Sequence, residues 1–168
     1  MSFFASVRDK VYDQYGILDE AEDFYTGLTT CTGELKTQGA VLARLLEATQ
    51  GSVTPEGGVP QLKSGHYRKA AQVVDGILDK MSVSLKDMVR IERKARKDKV
   101  IWEVMSTKIT TSKRHMQDAL AKARVMKTGI SDMQRMQAAS LDTAPTSMTK
   151  KTMGAIGDFT SSVLLASG

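Results

Sequence analysis

Apolar side chains recur along this chain in alternating steps of three and four. From Ile17 they read Ile17, Ala21, Phe24, Leu28, Cys31, Leu35, Gln38, Leu42 and Leu45, a row that holds over four heptads. Such steps put side chains on one side of an α-helix and mark helices that pack along their length. The row has soft points. Cys31 is small and Gln38 polar. Gly16, Gly27, Gly33 and Gly39 each weaken a helix by up to ~1 kcal/mol while letting another backbone come close. A helix built this way depends on its partners.

A second row runs Tyr67, Ala71, Val74, Leu78, Met81, Leu85, Met88, and its repeat then asks for Glu92, where Ile91 is the apolar residue. A fresh register follows: Ile91, Ala95, Asp98, Trp102, Met105, Ile109, Ser112, Met116, Ala119, Ala123, Met126, Ile130, Met133. The short step at Ile91 reads as a stammer, which overwinds a supercoil and predicts a bend near residues 88–92. The Ser/Thr run at 106–112 and Gly129 are further weak points, since Ser and Thr compete for backbone hydrogen bonds. An unbroken helix over 64–140 would exceed ~110 Å, so at least one break is expected.

These patterns predict an all-α fold: an elongated antiparallel helical bundle or coiled coil of about three long helices, with no β-sheet. Helix 1 is placed at about 3–49, a loop at 50–64, a long bent helix at 65–128 and a short helix at 130–141. Together they form one bundle over 1–141. Residues 142–168, rich in Ser, Thr, Ala and Gly, read as a flexible tail; Met153, Ile156, Phe159 and Val163 allow a short amphipathic helix there. At the other end, Phe3, Phe4, Val7 and Val11 share one helical side. They read either as the first packed turns of helix 1 or as an amphipathic leader that inserts shallowly into a bilayer through Phe3, Phe4 and Val7.

Composition agrees with helix seams. Aromatics make up 5% of the chain while Met numbers 10, a mix that suits helix contacts better than sheets. The three prolines, Pro55, Pro60 and Pro145, all fall where loops are placed. One cysteine, Cys31, leaves no intrachain disulfide and no cysteine-based zinc site, and points to a reducing compartment. No apolar run approaches the ~20 residues of a spanning helix or forms a secretory signal, so a cytoplasmic protein, soluble or peripheral to a membrane, is expected.

Catalytic chemistry is missing from the pattern. His66 and His115 stand far apart without a second ligand at helical spacing. No phosphate-cradling glycine motif appears. Asp19, Glu20, Glu22 and Asp23 cluster on positions that spread around a helix, unlike a convergent carboxylate pair. Cys31 on the seam reads as an inert thiol. The expectation is a non-enzymatic protein with no catalytic residue, metal or cofactor.

Charge is the conspicuous functional signal. Residues 1–50 carry four basic and eight acidic side chains, whereas 85–128 carry thirteen basic and five acidic. The densest run, KDMVRIERKARKDK at 86–99, holds seven cations. Three readings compete: a solvated face paired with the acidic first helix; a face for an anionic membrane, where each cation contributes ~1 kcal/mol; or a nucleic-acid contact, disfavoured because Trp102 stands alone among aromatics for stacking.

A heptad helix, a loop and a long bent helix with a basic middle resemble the BAR-domain layout. The stretch LKDMVRIERKARKDKVIWEVMSTK at 85–108 resembles the basic part of the second BAR helix, and Phe3 and Phe4 resemble the N-BAR leader. The resemblance implies an antiparallel dimer whose basic surface senses or induces membrane curvature. It implies lipid contacts at Arg90, Arg93, Lys94, Arg96, Lys97 and Lys99. It also implies a long third helix, which 129–168 is too short to supply. The expected function is a membrane-surface scaffold for anionic lipid. The alternative is a coiled-coil subunit of a cytoskeletal, ciliary or capsid-like assembly with other helical proteins, and nucleic-acid binding comes third.

Overall fold

The computed structural model describes residues 2–50, 64–138 and 146–167, with side chains for 2–47, 66–136 and 148–167. These residues form five helices and no strand: α1 (Phe3–Arg8), α2 (Ile17–Gln50), α3 (Ser64–Arg96), α4 (Lys99–Ala138) and α5 (Thr146–Ala166). Four are long, where about three were expected. The loop expected at 50–64 and the turn at Pro145 fall almost wholly on 51–63 and 139–145, outside the described residues.

Each long helix buries one row with steps of three and four. In α2 the row is Leu18, Ala21, Tyr25, Leu28, Thr32, Leu35, Gly39, Leu42 and Leu46, all buried. The expected row shared Ala21, Leu28, Leu35 and Leu42. Its alternate members Phe24, Cys31, Gln38 and Leu45 lie on the flank and are only partly buried. In α3 the row is Tyr67, Ala70, Val74, Ile77, Met81, Ser84, Met88, Ile91 and Ala95, buried throughout except for the half-buried Ser84. It contains no stammer. The irregularity at Ile91 arose from taking Ala71, Leu78 and Leu85 as core, and these flank the true row. In α4 every member from Met105 to Met133 is buried as expected, with Ile101 rather than Trp102 leading in. Burying a Leu, Ile, Met or Phe side chain contributes about 1.5–3 kcal/mol, so these rows dominate the stability.

The breaks fall elsewhere than expected. Helix 1 is divided at residues 9–16. The Asp13 carboxylate accepts from the Ile17 and Leu18 backbone N–H groups at 2.8 and 3.0 Å, and Gly16 takes φ +69°. That start signal caps α2 and turns α1 back along it. The long second helix breaks at 97–98, where Asp98 Oδ1 accepts from Val100 and Ile101 N–H at 3.1 and 3.3 Å. The sequence carries the cue, an Asp just before an apolar run, although the heptad spacing also places Asp98 on the seam. Residues 106–112 and Gly129 stay helical inside α4. Ser112 causes no break because its hydroxyl is buried and accepts from Tyr25.

Cross-helix pairs give the topology. Glu20 meets Lys94 and Glu34 meets Lys80, so α2 and α3 are antiparallel. Glu92–Lys113 and Asp75–Lys127 show the same for α3 and α4. Lys122–Asp158 and Met133–Thr149 show it for α4 and α5. α5 also packs against α2, closing an up-down-up-down ring. Far from a loose tail, the segment beyond 145 is thus the fourth wall of the core, with Thr149, Thr152, Ile156, Phe159, Val163 and Ala166 buried.

With 21 residues against 40 in α4, α5 spans only about 32 Å of α4's roughly 60 Å. The groove between α2 and α4 beyond its end receives α1. Phe4 meets the Tyr25 ring at 5.8 Å, and the Lys108 ammonium sits 5.0 Å over the Phe3 ring.

Glycine marks two close crossings. A Cβ at Gly129 would collide with the Thr152 hydroxyl, and one at Gly39 would press on Thr160 Oγ1 at 3.3 Å. Gly33, by contrast, faces open space. Gly129→Ala is therefore expected to destabilise the bundle by about 1–3 kcal/mol through overpacking, with partial recovery on adding Thr152→Ala. Gly33→Ala should stabilise by about 0.5–1 kcal/mol. Urea unfolding of the three variants checks both signs.

Candidate anionic-surface interface

The basic run ends α3, where Arg93, Lys94 and Arg96 stand in the last turn and complement the negative end of the helix dipole. Part of its charge is answered within the fold. Lys94 Nζ lies 2.7 and 2.9 Å from the two Glu20 oxygens. Arg90 approaches Glu20 at 3.7 Å and Asp87 at 3.9 Å. Hydrogen bonding from Lys94 holds the Glu20 carboxyl below its ordinary range. Arg96 bonds Glu92 at 3.2 Å and lies 4.1 Å over the Trp102 ring. The pairing of acidic α2 with basic α3 engages two of the six expected lipid contacts, Arg90 and Lys94, and a third, Arg96, is engaged within α3 by Glu92.

The other three, Arg93, Lys97 and Lys99, are exposed and form no ion pair with any described residue, and neither does Lys86. Lys86, Arg90, Arg93 and Lys97 stand at i, i+4, i+7 and i+11, one outward stripe opposite the buried Met88–Ile91–Ala95 row. The stripe runs roughly 16 Å along α3.

Lys97 belongs to the turn between α3 and α4. The α1–α2 connection lies at the same end of the bundle, since Glu20 near the start of α2 meets Lys94 near the end of α3. It presents Tyr12 and Tyr15, whose exposures of 85% and 71% are the largest among the aromatic side chains. Sequence reasoning missed both. The available signal was their placement in DKVYDQYG, an Asp/Gly turn that leaves a side chain no apolar row to join.

The expected insertion residues are placed differently. Phe4 and Val7 are buried, and Phe3 is half-exposed beneath Lys108. Arg8 ties α1 down, reaching Asp19 at 2.6 Å and Glu22 at 2.5 Å. Beneath lies a compact cluster. The Lys108 ammonium sits 4.5 Å over the Tyr25 ring, and the Tyr25 hydroxyl donates to Ser112 Oγ at 3.0 Å. Burial lowers the Lys108 pKa and raises that of the Tyr25 phenol. Packing, the first of the two readings for this segment, is what Phe4 and Val7 do here.

Among the described residues, no three His, Cys, Asp or Glu side chains gather as a metal site, and no helix is long and apolar enough to cross a membrane. Cys31 is half-buried, its Sγ 3.4 Å from Ser84 Oγ. One groove, about 530 Å³ between α4 and α5, is open and lined by Arg124, Gly129, Asp132, Lys151 and Thr152 among others. Comparison of the chain with protein-family models, with curated proteins and with solved structures finds no match.

Tyr25→Phe should lose about 1 kcal/mol with the buried hydrogen bond to Ser112. In the wild type the folded phenol holds its proton at a pH where the unfolded one has lost it. Stability should therefore fall as pH rises past the ordinary tyrosine range. Thermal melts of both proteins from neutral to alkaline pH check this: the wild type should show an extra alkaline loss of stability that Tyr25→Phe lacks.

Proposed function

We propose that this protein is a non-catalytic helical scaffold that binds an anionic membrane surface through its basic segment. The observation that carries the reading is the cationic surplus after internal pairing. Glu20, Glu34 and Glu92 answer Lys94, Lys80 and Arg96, and leave Lys86, Arg93, Lys97 and Lys99 exposed without a carboxylate. Structural pairing alone gives no reason for these four. At a surface of acidic lipids each contributes ~1 kcal/mol, enough together for reversible peripheral binding.

Pelleting with phosphatidylserine-containing vesicles at about 0.15 M salt tests the proposal. Binding should weaken with salt. It should drop to background when Lys86, Arg93, Lys97 and Lys99 are changed to Glu, whereas Lys150→Glu with Lys151→Glu on α5 should leave it intact. Undiminished pelleting of the fourfold variant would sink the reading. Dimerisation and a curvature response, which the BAR resemblance implies, are the finer part of this proposal. Imaging of vesicles for tubules tests them, and the four long helices depart from the BAR layout.

A second reading, a subunit of a protein assembly, is favoured by Leu164 and Leu165, which stand 45% and 56% exposed near the end of α5. It predicts concentration-dependent oligomers in light scattering without lipid, abolished by Leu164→Ser with Leu165→Ser. A monomer over the whole range would count against it.

A further inference from the structure

We infer that the bundle meets the membrane end-on, with the tip formed by the α1–α2 connection and the α3–α4 turn, and that Tyr12 and Tyr15 enter the headgroup layer there. The inference rests on the membrane reading above and specifies its geometry.

Charge along α3 decides against lying side-on. Traced back from the tip, the outward stripe reads Lys97, Arg93, Arg90, Lys86, and then Asp79 and Asp75. Laying α3 flat on an anionic surface would press the Asp79 carboxylate against it, which has no ion pair among the described residues, together with Asp75, which Lys127 holds at 3.0 Å. Standing on the tip keeps them away by roughly 27 Å or more, the rise over the eighteen residues from Asp79 to Lys97.

At the tip the acids are largely occupied. Asp13 and Asp98 accept backbone N–H groups at the starts of α2 and α4. Asp19 and Glu22 hold Arg8, and Glu20 holds Lys94. Near this end Lys10, Arg93, Lys97 and Lys99 are exposed without an ion pair to any described residue, against Asp9, Asp23 and Glu103, which are exposed and equally without one.

The tip also carries the apolar component that the side of α3 lacks. Tyr12 and Tyr15 project from the connection that carries the Asp13 cap and the left-handed Gly16, and Val100 beside Lys99 is 53% exposed. A tyrosine joins an apolar ring to a polar hydroxyl and partitions to the membrane–water boundary, while lysine stems lie along apolar surface with their ammonium groups among phosphates. A projecting end offers no groove to track a nucleic-acid strand, whereas a planar anionic layer needs none.

The test uses the full chain with Trp102→Phe, so that one added tryptophan reports alone. Tyr15→Trp marks the tip. Val83→Trp, on the exposed side of α3, marks a side-on contact; circular dichroism checks that each variant folds. The probes are phosphatidylserine/phosphatidylcholine vesicles, phosphatidylcholine vesicles and vesicles with brominated acyl chains. The expected result is a blue shift and bromine quenching for Tyr15→Trp on the acidic vesicles only, with Val83→Trp unchanged, and several-fold weaker pelleting for Tyr12→Ser with Tyr15→Ser. Quenching of Val83→Trp equal to that of Tyr15→Trp, or of neither in protein that pellets, overturns the end-on geometry and leaves the membrane reading standing. No pelleting with acidic vesicles overturns both, and retardation of nucleic acid in its place would assign the basic tip to that partner.

Discussion

Four apolar rows with steps of three and four have to close on one another before anything else in this protein can be positioned. No single helix here is stable by propensity; α2 alone contains three glycines and a run of threonines. Burial of Leu35, Leu42, Ile77, Met81, Met126 and Phe159 in one core supplies the stability. The rows also set the crossings. Gly129 under Thr152 and Gly39 under Thr160 let α5 approach α4 and α2 closely enough for Phe159 to be fully enclosed.

The length mismatch between α5 and its neighbours then shapes the rest. A wall that ends early leaves α2 and α4 with an open groove, and α1 folds back to fill part of it with Phe4 and Val7. That use of the N-terminal segment leads the α1–α2 connection to the same end as the α3–α4 turn. The tip is thus a by-product of packing: two helix starts capped by Asp13 and Asp98, two projecting tyrosines, and exposed lysines beside them.

Electrostatics follows from the same geometry. An acidic α2 beside a basic α3 is partly self-neutralising, and Glu20 with Lys94 and Arg90 is its strongest expression. These pairs are exposed and screened by solvent, so their main effect is on where charge is left over. Toward the end of α3 the surplus comprises Lys86 and Arg93, followed by Lys97 in the turn and Lys99 at the start of α4.

The sequence by itself determined helix type and the α4 row from Met105 to Met133, because steps of three and four are a local property of the chain. It also showed that 86–99 is basic. It did not determine which of two adjacent rows each helix buries. Phe24 against Tyr25, Cys31 against Thr32 and Leu78 against Ile77 are decided by where the neighbouring helices stand. The same holds for residues 146–166, whose weak amphipathic pattern becomes a wall only when α2 and α4 present a groove to it. Which cations remain unpaired is likewise a tertiary outcome: Lys94 and Lys97 look alike in sequence, but Lys94 stands in the last turn of α3 facing Glu20, whereas Lys97 falls in the turn beyond it. Local periodicity is written in the chain; partner, flank and surplus charge are set by what packs against it.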